Sequence, residues 1–203
     1  PSGGGQCVAF HSVVCREPEP FELALAGVHQ AENAALVIMA AKLLEREDVR
    51  VTEKAIRTAL RTVRHPARFE ILANEGVPVV IDGAHNPAGM RALRTGLDAY
   101  FPNLPRVFLL GILKDKDIDT MLAALLRPGD QVVTVRPNSE RAAAADVVAA
   151  VAAGMGLVTV ACDDRAKGLD EAVRRAHVRS ALLVVAGSLY LVGDIRRLLM
   201  AGR

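Results

Sequence analysis

The 203-residue chain carries 25 lysines and arginines against 23 aspartates and glutamates, and a formal charge of +2 leaves no field strong enough to suggest nucleic acid or an anionic membrane, so any anion site is local. Apolar residues make up 51% of the chain but aromatic ones only 3%, with Ala, Val and Leu dominant, which suits helices packed on a Val-rich parallel sheet better than an all-β sandwich. No apolar run approaches the roughly 18 residues needed to span a bilayer, and the opening PSGGG lacks the layout of a signal peptide, so a soluble, cytoplasmic protein is expected.

In chain order, QCVAFHSVV and FELALAG read as two strands joined by a polar, Pro-containing connection. VHQAENAALVIMAAKLLE then reads as a long helix, and TEKAIRTALRTV as a shorter one capped by Thr52. This is not a complete α/β domain, and the Gly-rich start without Met suggests a cut or a linker. Cys7, Cys15 and Cys162 are odd in number and match no zinc spacing, so reduced thiols and no cysteine metal site are expected. RHPARFEIL crosses into a second region, with Pro66 as the breaker and a short strand after it, and places the boundary so that residues 1–64 and 65–203 are separate domains.

From about residue 78 strands and helices alternate. VPVVID precedes PAGMRALRTGLDAYF, RVFLLGIL precedes IDTMLAALL, QVVTV precedes ERAAAADVVAAVAAG, LVTVAC precedes RAKGLDEAVRRAH, and ALLVVAG precedes SLYLVGDIRRLLMAG. Five βα units in succession predict an α/β fold with a mostly parallel, doubly wound sheet. Ligands of such sheets bind at the carboxyl ends of the strands, where Asp82, His85, the GILKDKD loop and Ser188 all fall.

Several of these residues have an ordinary structural use beside a chemical one. In VVIDGAHNPAGM, Asn86 suits a helix N-cap, Pro87 the first helical position and Gly83 the turn. Asp82 is then either a turn acid or a carboxylate for a ribose hydroxyl, and His85 either a surface imidazole or a site residue. Arg68 is an exposed boundary arginine or a fork for phosphate oxygens. His29, Gln30 and Asn33 start the long helix as caps or as a ligand-facing cluster, with His29 and Asn33 on one face. Ser188 is an N-cap or part of an anion site at a helix N-terminus. No Gly-rich phosphate loop of the GxxxxGK[ST] type occurs, nor GxGxxG, GxSxG or HExxH.

The order of these segments is more specific than any one of them. GVHQAENAA, HPARFE, DGAHNP, GILKDKD and GSLY followed by GDIR closely resemble, from Gly27 onward, the C-terminal half of the folylpolyglutamate synthase/dihydrofolate synthase family of the Mur ligase superfamily. DGAHNP and GSLYLVG are the specific part, whereas HQ..N and the lone arginine are shared with other Mur-type ligases.

The resemblance implies an ATP-dependent ligase of folate biosynthesis and one-carbon metabolism, in which ATP phosphorylates a folate or dihydropteroate carboxylate and the amine of L-glutamate attacks the acyl phosphate. It implies the tail of a central ATPase domain over 1–64 and a Rossmann-like C-terminal domain over 65–203. Asn33 is similar to the family asparagine that contacts ATP, Arg68 to the arginine at its phosphates and Asp82 to the acid at its ribose, while His85 and Ser188 resemble positions that receive glutamate. Asn86, Lys116 and Tyr190 are motif members without an assigned task, and His29, Gln30, Asn86 and Lys116 are additional candidate site residues. The family's phosphate loop, its Mg²⁺ ligands and most of its folate site are expected upstream of Pro1, so the fragment alone is expected to be inactive, and a monomer is the default. His65 and Ala67 stand where the family usually has Trp and Gly. Two other readings compete: a nucleotide-binding or interaction module that lost the reaction, and a Mur-type peptide or cyanophycin-like ligase.

Overall fold

The structure, a computed structural model, describes residues 5–11, 18–44 and 51–201. The chain divides into two compact units, Pro1–Pro66 and Ala67–Arg203. Cys15 lies outside the described residues, and Cys7 and Cys162 are free thiols. No helix is long and apolar enough among the described residues to cross a membrane.

In the first unit, strands β1 (Gln6–Phe10) and β2 (Glu19–Leu23) pair antiparallel, with Val8 opposite Phe21. They are followed by helices α1 (Val28–Leu44) and α2 (Glu53–Thr62). The FELALAG strand stops at Leu23, earlier than its apolar run suggests. Ala24 there turns its N–H to the Leu60 carbonyl (2.9 Å), and the Gln6 amide donates to the carbonyls of Leu25 and Gly27. Thr52 caps α2, accepting the Ala55 N–H at 3.2 Å. Phe10, Phe21, Leu23, Ile38, Ile56 and Leu60 form the core, with the Phe10 and Phe21 rings edge to face. The stripe Gln30, Ala34, Ile38 and Ala41 of α1 is buried, while Leu36, Val37, Leu43 and Leu44 stand exposed on the same helix. The helix is thus apolar on two faces, a pattern of helices covered on both sides.

The second unit is built on a six-stranded sheet in the order β3-β4-β8-β5-β6-β7. The strands are β3 (Glu70–Asn74), β4 (Val77–Ile81), β5 (Arg106–Leu110), β6 (Gln131–Val135), β7 (Val158–Cys162) and β8 (Leu182–Ala186). β3 runs antiparallel to β4 and all other pairings are parallel. Helices α3 (Pro87–Tyr100), α4 (Ile118–Leu125), α5 (Ala145–Gly154), α6 (Arg165–Val178) and α7 (Leu189–Ala201) follow the five parallel strands in turn. β8 enters last in sequence but sits between β4 and β5, and β5 and β8 are buried along their whole length. Val107, Leu109, Leu183 and Val185 share a core cluster with Leu169, Ala172, Leu191 and Ile195 of α6 and α7. Strand periodicity then turns Phe108 and Leu110 to the other face.

The predicted helix over ERAAAADVVAAVAAG begins later than its alanines suggest, at Ala145. Residues 141–143 are drawn into the loop after β5 instead. Lys114 donates to the Arg141 carbonyl (2.7 Å), Ala143 donates to the Ile112 carbonyl (2.9 Å), and Leu113 and Ala142 form a β-bridge. Helix propensity is worth tenths of a kcal/mol per residue, about one backbone hydrogen bond or less, so these two bonds override it.

On α6 the Glu171 carboxylate accepts from Arg174 (2.8 Å) and Arg175 (2.6 Å), and these two guanidiniums hold its pKa down to about 2, from 4.5. Because the folded value is depressed, the contribution to stability is full above pH 4.5 and is lost as pH falls from there to about 2. Unfolding at stepped pH should show Glu171→Gln about 1 kcal/mol less stable at neutrality, the scale of a half-exposed ion pair, with the gap closing over that window. A gap independent of pH would assign the loss to packing.

Candidate active site

Three loops meet where β4, β8 and β5 end. Asp82 extends the β4–β8 ladder by donating its N–H to the Val185 carbonyl (3.0 Å). Its buried carboxylate accepts the Phe69 N–H at Oδ2 and the Ala84 N–H at Oδ1, both at 2.8 Å. Asp82 therefore fastens the segment before β3 to the loop after β4.

The fastened segment carries Arg68. Its neighbours Ala67 (φ 62°) and Phe69 (φ 45°) both lie in the left-handed region, an arrangement costing of order 1–3 kcal/mol per residue that persists only where surroundings enforce it. Here they do. Ala67 donates its N–H to Glu70 Oε2 (2.9 Å) and its carbonyl accepts the Gly83 N–H (2.7 Å). Glu70 is itself gripped by the Arg196 guanidinium of α7 through both carboxylate oxygens. The Phe69 ring is buried against Tyr100. The left-handed φ of Ala67 is the physical reason a glycine suits that position. Within this pinned turn the half-buried Arg68 guanidinium has no hydrogen-bond or ion-pair partner among the described residues.

His85 is half-buried, and its Nδ1 lies 2.8 Å from the Gly83 carbonyl. A carbonyl can only accept, so Nδ1 carries the hydrogen and Nε2 of the neutral ring presents a lone pair. Gly83 needs no special backbone conformation. Its role in the turn is space, because a Cβ there would lie 2.6 Å from Leu189 Cδ2. Asn86 caps α3, accepting the Gly89 N–H at 2.7 Å, with Pro87 in the first turn.

On the neighbouring strand, Gly187 donates to the Ala84 carbonyl (3.0 Å), tying the end of β8 to the Asp82–His85 loop. Ser188 is buried (1% exposed) and its Oγ accepts the Leu191 N–H (3.2 Å), the capping geometry of α7. The hydroxyl hydrogen is not used by that bond. Gly111, at the end of β5, donates to the Ala186 carbonyl (3.3 Å). Lys116, further along that loop, sits 3.4 Å from Asp115, and Asp117 caps α4.

Four of the predicted residues, Arg68, Asp82, His85 and Ser188, thus belong to one hydrogen-bonded edge of the second unit. Asn86 and Lys116 flank it, one as an exposed cap and the other in an ion pair. His29, Gln30 and Asn33 form a separate cluster in the first unit. Asn33 donates to Gln30 Oε1 (3.2 Å), and the Gln30 amide lies 3.1 Å from His29 Nε2. That leaves His29 Nδ1 buried without a partner among the described residues. Such an orphan at a helix start is the kind of group a ligand satisfies. Glu70, Phe69 and the Asp115–Arg141 pair were missed by sequence reasoning. HPARFE contained both of the first two, with Glu70 as an acid beside the boundary able to pair with an arginine.

Among the described residues no group of three or more His, Cys, Asp or Glu side chains is arranged to hold a metal ion. The guanidinium of Arg68, without a partner among the described residues, is chemically suited to phosphate oxygens.

The sequence model of the family described as Mur ligase, glutamate ligase domain, matches residues 67–189, which contain the whole edge described above. A probable bifunctional folylpolyglutamate synthase/dihydropteroate synthase of Halobacterium salinarum is 39% identical over 86% of this chain and 21% of that protein. The crystal structure of Mycobacterium tuberculosis folylpolyglutamate synthase complexed with ADP and AMPPCP superposes with a TM-score of 0.80 at 30% identity, covering 91% of this chain and 43% of that one. A bifunctional folylpolyglutamate synthase/dihydrofolate synthase with Mn, AMPPNP and L-glutamate bound superposes with a TM-score of 0.69 at 26% identity, over 88% of this chain and 41% of that one. The chain therefore spans less than half the length of each of these proteins. By the match of residues 67–189, and with the sheet and loops that those residues build, the chain belongs to the Mur ligase family.

Proposed function

We propose that the chain is the C-terminal part of an ATP-dependent folate–glutamate ligase, joining L-glutamate to a carboxylate of folate or dihydropteroate. The observation that carries this reading is the unpaired Arg68 guanidinium on a strained, pinned turn, linked through Asp82 and Ala84 to Gly187, the residue before the buried Ser188, in a glutamate ligase domain. In the reaction, a carboxylate oxygen attacks the γ-phosphorus of ATP and ADP leaves. The glutamate amine then attacks the acyl carbon, inorganic phosphate departs, and the amine loses a proton.

Each residue has a part suited to its geometry. Arg68 neutralises phosphate charge, where positioning and electrostatics supply most of the acceleration. Nε2 of His85 accepts a hydrogen bond from the incoming amine and holds its lone pair toward the acyl carbon. The Ser188 hydroxyl donates its free hydrogen to a glutamate carboxylate beside the N-terminus of α7. Asp82 is read as the acid that meets a ribose hydroxyl of the nucleotide. In the first unit, Asn33 is read as an ATP contact, with Gln30 and His29 as its hydrogen-bonded neighbours. Residues 1–64 are read as the end of a central ATPase domain, which the apolar outer face of α1 supports, since Leu36 and Val37 there are 71% and 56% exposed. The phosphate loop and Mg²⁺ ligands of that domain are assigned to the part of the ligase that this chain does not span.

Steady-state kinetics of the complete ligase test the division of labour. Arg68→Ala should raise KM for ATP, and Ser188→Ala and His85→Ala should raise KM for glutamate, each by about one decade, the worth of a hydrogen bond to a charged group. If His85→Ala abolishes ATP use and leaves glutamate dependence intact, the loop belongs to the nucleotide alone. The 203-residue chain by itself should release no phosphate from ATP in the presence of folate.

A further inference from the structure

The GDIR segment of α7 has no task in the reading above, and Arg196 is its member that reaches the candidate site. Asp194 pairs with Arg165 of α6 (3.2 Å) and with the exposed Arg197. Arg196 turns instead to Glu70, the first residue of β3 and 126 positions away in sequence, donating from Nε to Oε2 (2.9 Å) and from Nη2 to Oε1 (2.9 Å). Oε2 also accepts the Ala67 N–H at 2.9 Å. Two carboxylates therefore flank Arg68. Glu70 holds the N–H of the residue before it, and Asp82 holds the N–H of the residue after it (2.8 Å).

Their charges are handled differently. Asp82 meets a backbone N–H at each oxygen, whereas Glu70 meets one N–H and, through both oxygens, the Arg196 guanidinium. Holding the Ala67 N–H needs only a neutral acceptor, and an ion pair whose side chains are 34% and 19% exposed adds little to stability. The reason for a cation at this place is Arg68. Glu70 Oε2 lies 2.9 Å from the nitrogen of the residue bonded to Arg68, within reach of an arginine side chain, and a carboxylate is a natural partner of a guanidinium fork. With both Glu70 oxygens engaged by Arg196, the Arg68 guanidinium stays without a partner among the described residues.

We propose that Arg196 is a positioning residue for ATP use, which occupies Glu70 so that the Arg68 guanidinium stays open to phosphate oxygens while its turn stays fixed. The inference rests on the reading of Arg68 as the phosphate contact. Glu70 is then the nucleotide's competitor for Arg68, and Arg196 removes the competition. The helix that begins beside Ser188 thus sets, about two turns later, the charge available on the phosphate side.

Kinetics of the complete ligase test it, with Arg196→Ala, Arg196→Lys, the double variant Glu70→Gln/Arg196→Ala, Arg68→Ala with and without Arg196→Ala, and Arg197→Ala as a control. Arg196→Ala should raise KM for ATP about fivefold, less than Arg68→Ala does, and leave KM for glutamate within about twofold. Removing the carboxylate as well, in Glu70→Gln/Arg196→Ala, should bring KM for ATP back to within about twofold of the parent, because an amide oxygen still accepts the Ala67 N–H and does not neutralise Arg68. In the Arg68→Ala background, Arg196→Ala should add nothing to KM for ATP. Arg196→Lys, with an ammonium in place of the fork, should fall between Arg196→Ala and the parent, and it carries the same comparison if Arg196→Ala does not fold. Arg197→Ala should match the parent. A double variant Glu70→Gln/Arg196→Ala with a higher KM for ATP than Arg196→Ala overturns the proposal. So does a rise that persists in the Arg68→Ala background, or a parallel rise in both KM values with a lower melting temperature. An effect of Arg68→Ala on KM for ATP with none of Arg196→Ala overturns this inference alone, whereas no effect of Arg68→Ala overturns the reading beneath it as well.

Discussion

Gly187→Ala is expected to destabilise the second unit by about 4 kcal/mol, a backbone strain of 1–3 kcal/mol added to a similar overpacking cost. Gly187 has φ +114°, a conformation L side chains rarely adopt. The new Cβ would lie 2.7 Å from the Gly111 oxygen and 3.1 Å from its carbon and nitrogen. These are backbone atoms of the loop after β5, so no side chain can swing aside. Relief requires separating the ends of β5 and β8, which moves Ser188 and breaks the Gly187 bond to Ala84. Urea unfolding of the chain measures the loss. A change under 1 kcal/mol would mean that these strand ends yield easily, and the site could not then be called rigid.

Asp82→Ala is expected to cost about 3–4 kcal/mol with no nucleotide or amino acid present, because two buried N–H groups, of Phe69 and Ala84, lose their acceptor at about 1–3 kcal/mol each. One of those bonds also holds Phe69 at its left-handed φ, so the Arg68 turn should loosen, with faster amide exchange at residues 67–70. If the variant unfolds at the same urea concentration as the parent, the carboxylate does not act as a fastener, and its use would lie wholly with a ligand.

The fold was readable because its signals are local and repeated. Each strand from β4 to β8 is a Val- and Leu-rich run followed by a helix start, and Asn86, Asp117 and Asp164 cap α3, α4 and α6 as their residue types suggest. The antiparallel direction of β3 and the place of β8 inside the sheet are not local properties, and no residue in either strand signals them. The site was readable as a set of positions at strand ends, since topology alone sends those loops to one edge. What each side chain does there was not. Asp82 looks the same in sequence whether it binds two N–H groups or a hydroxyl, and only the left-handed turn at Phe69 explains why it is held where it is. Arg141 was hidden by the alanines after it, which look helical until the loop after β5 claims the backbone of residues 141–143.

The central position of β8 has a consequence for how the molecule is made. β4 and β5 have no contact ladder with each other, and both pair with a strand that begins about a hundred residues after β4. During synthesis the earlier strands therefore emerge with their central partner still missing, and their apolar edges stay open until Leu182–Ala186 follows. Loop-closure entropy over such separations makes the last insertion slow. Nascent chains of this unit should depend on protection of those edges, and truncation anywhere before Ala186 should yield aggregating material in place of a smaller folded domain.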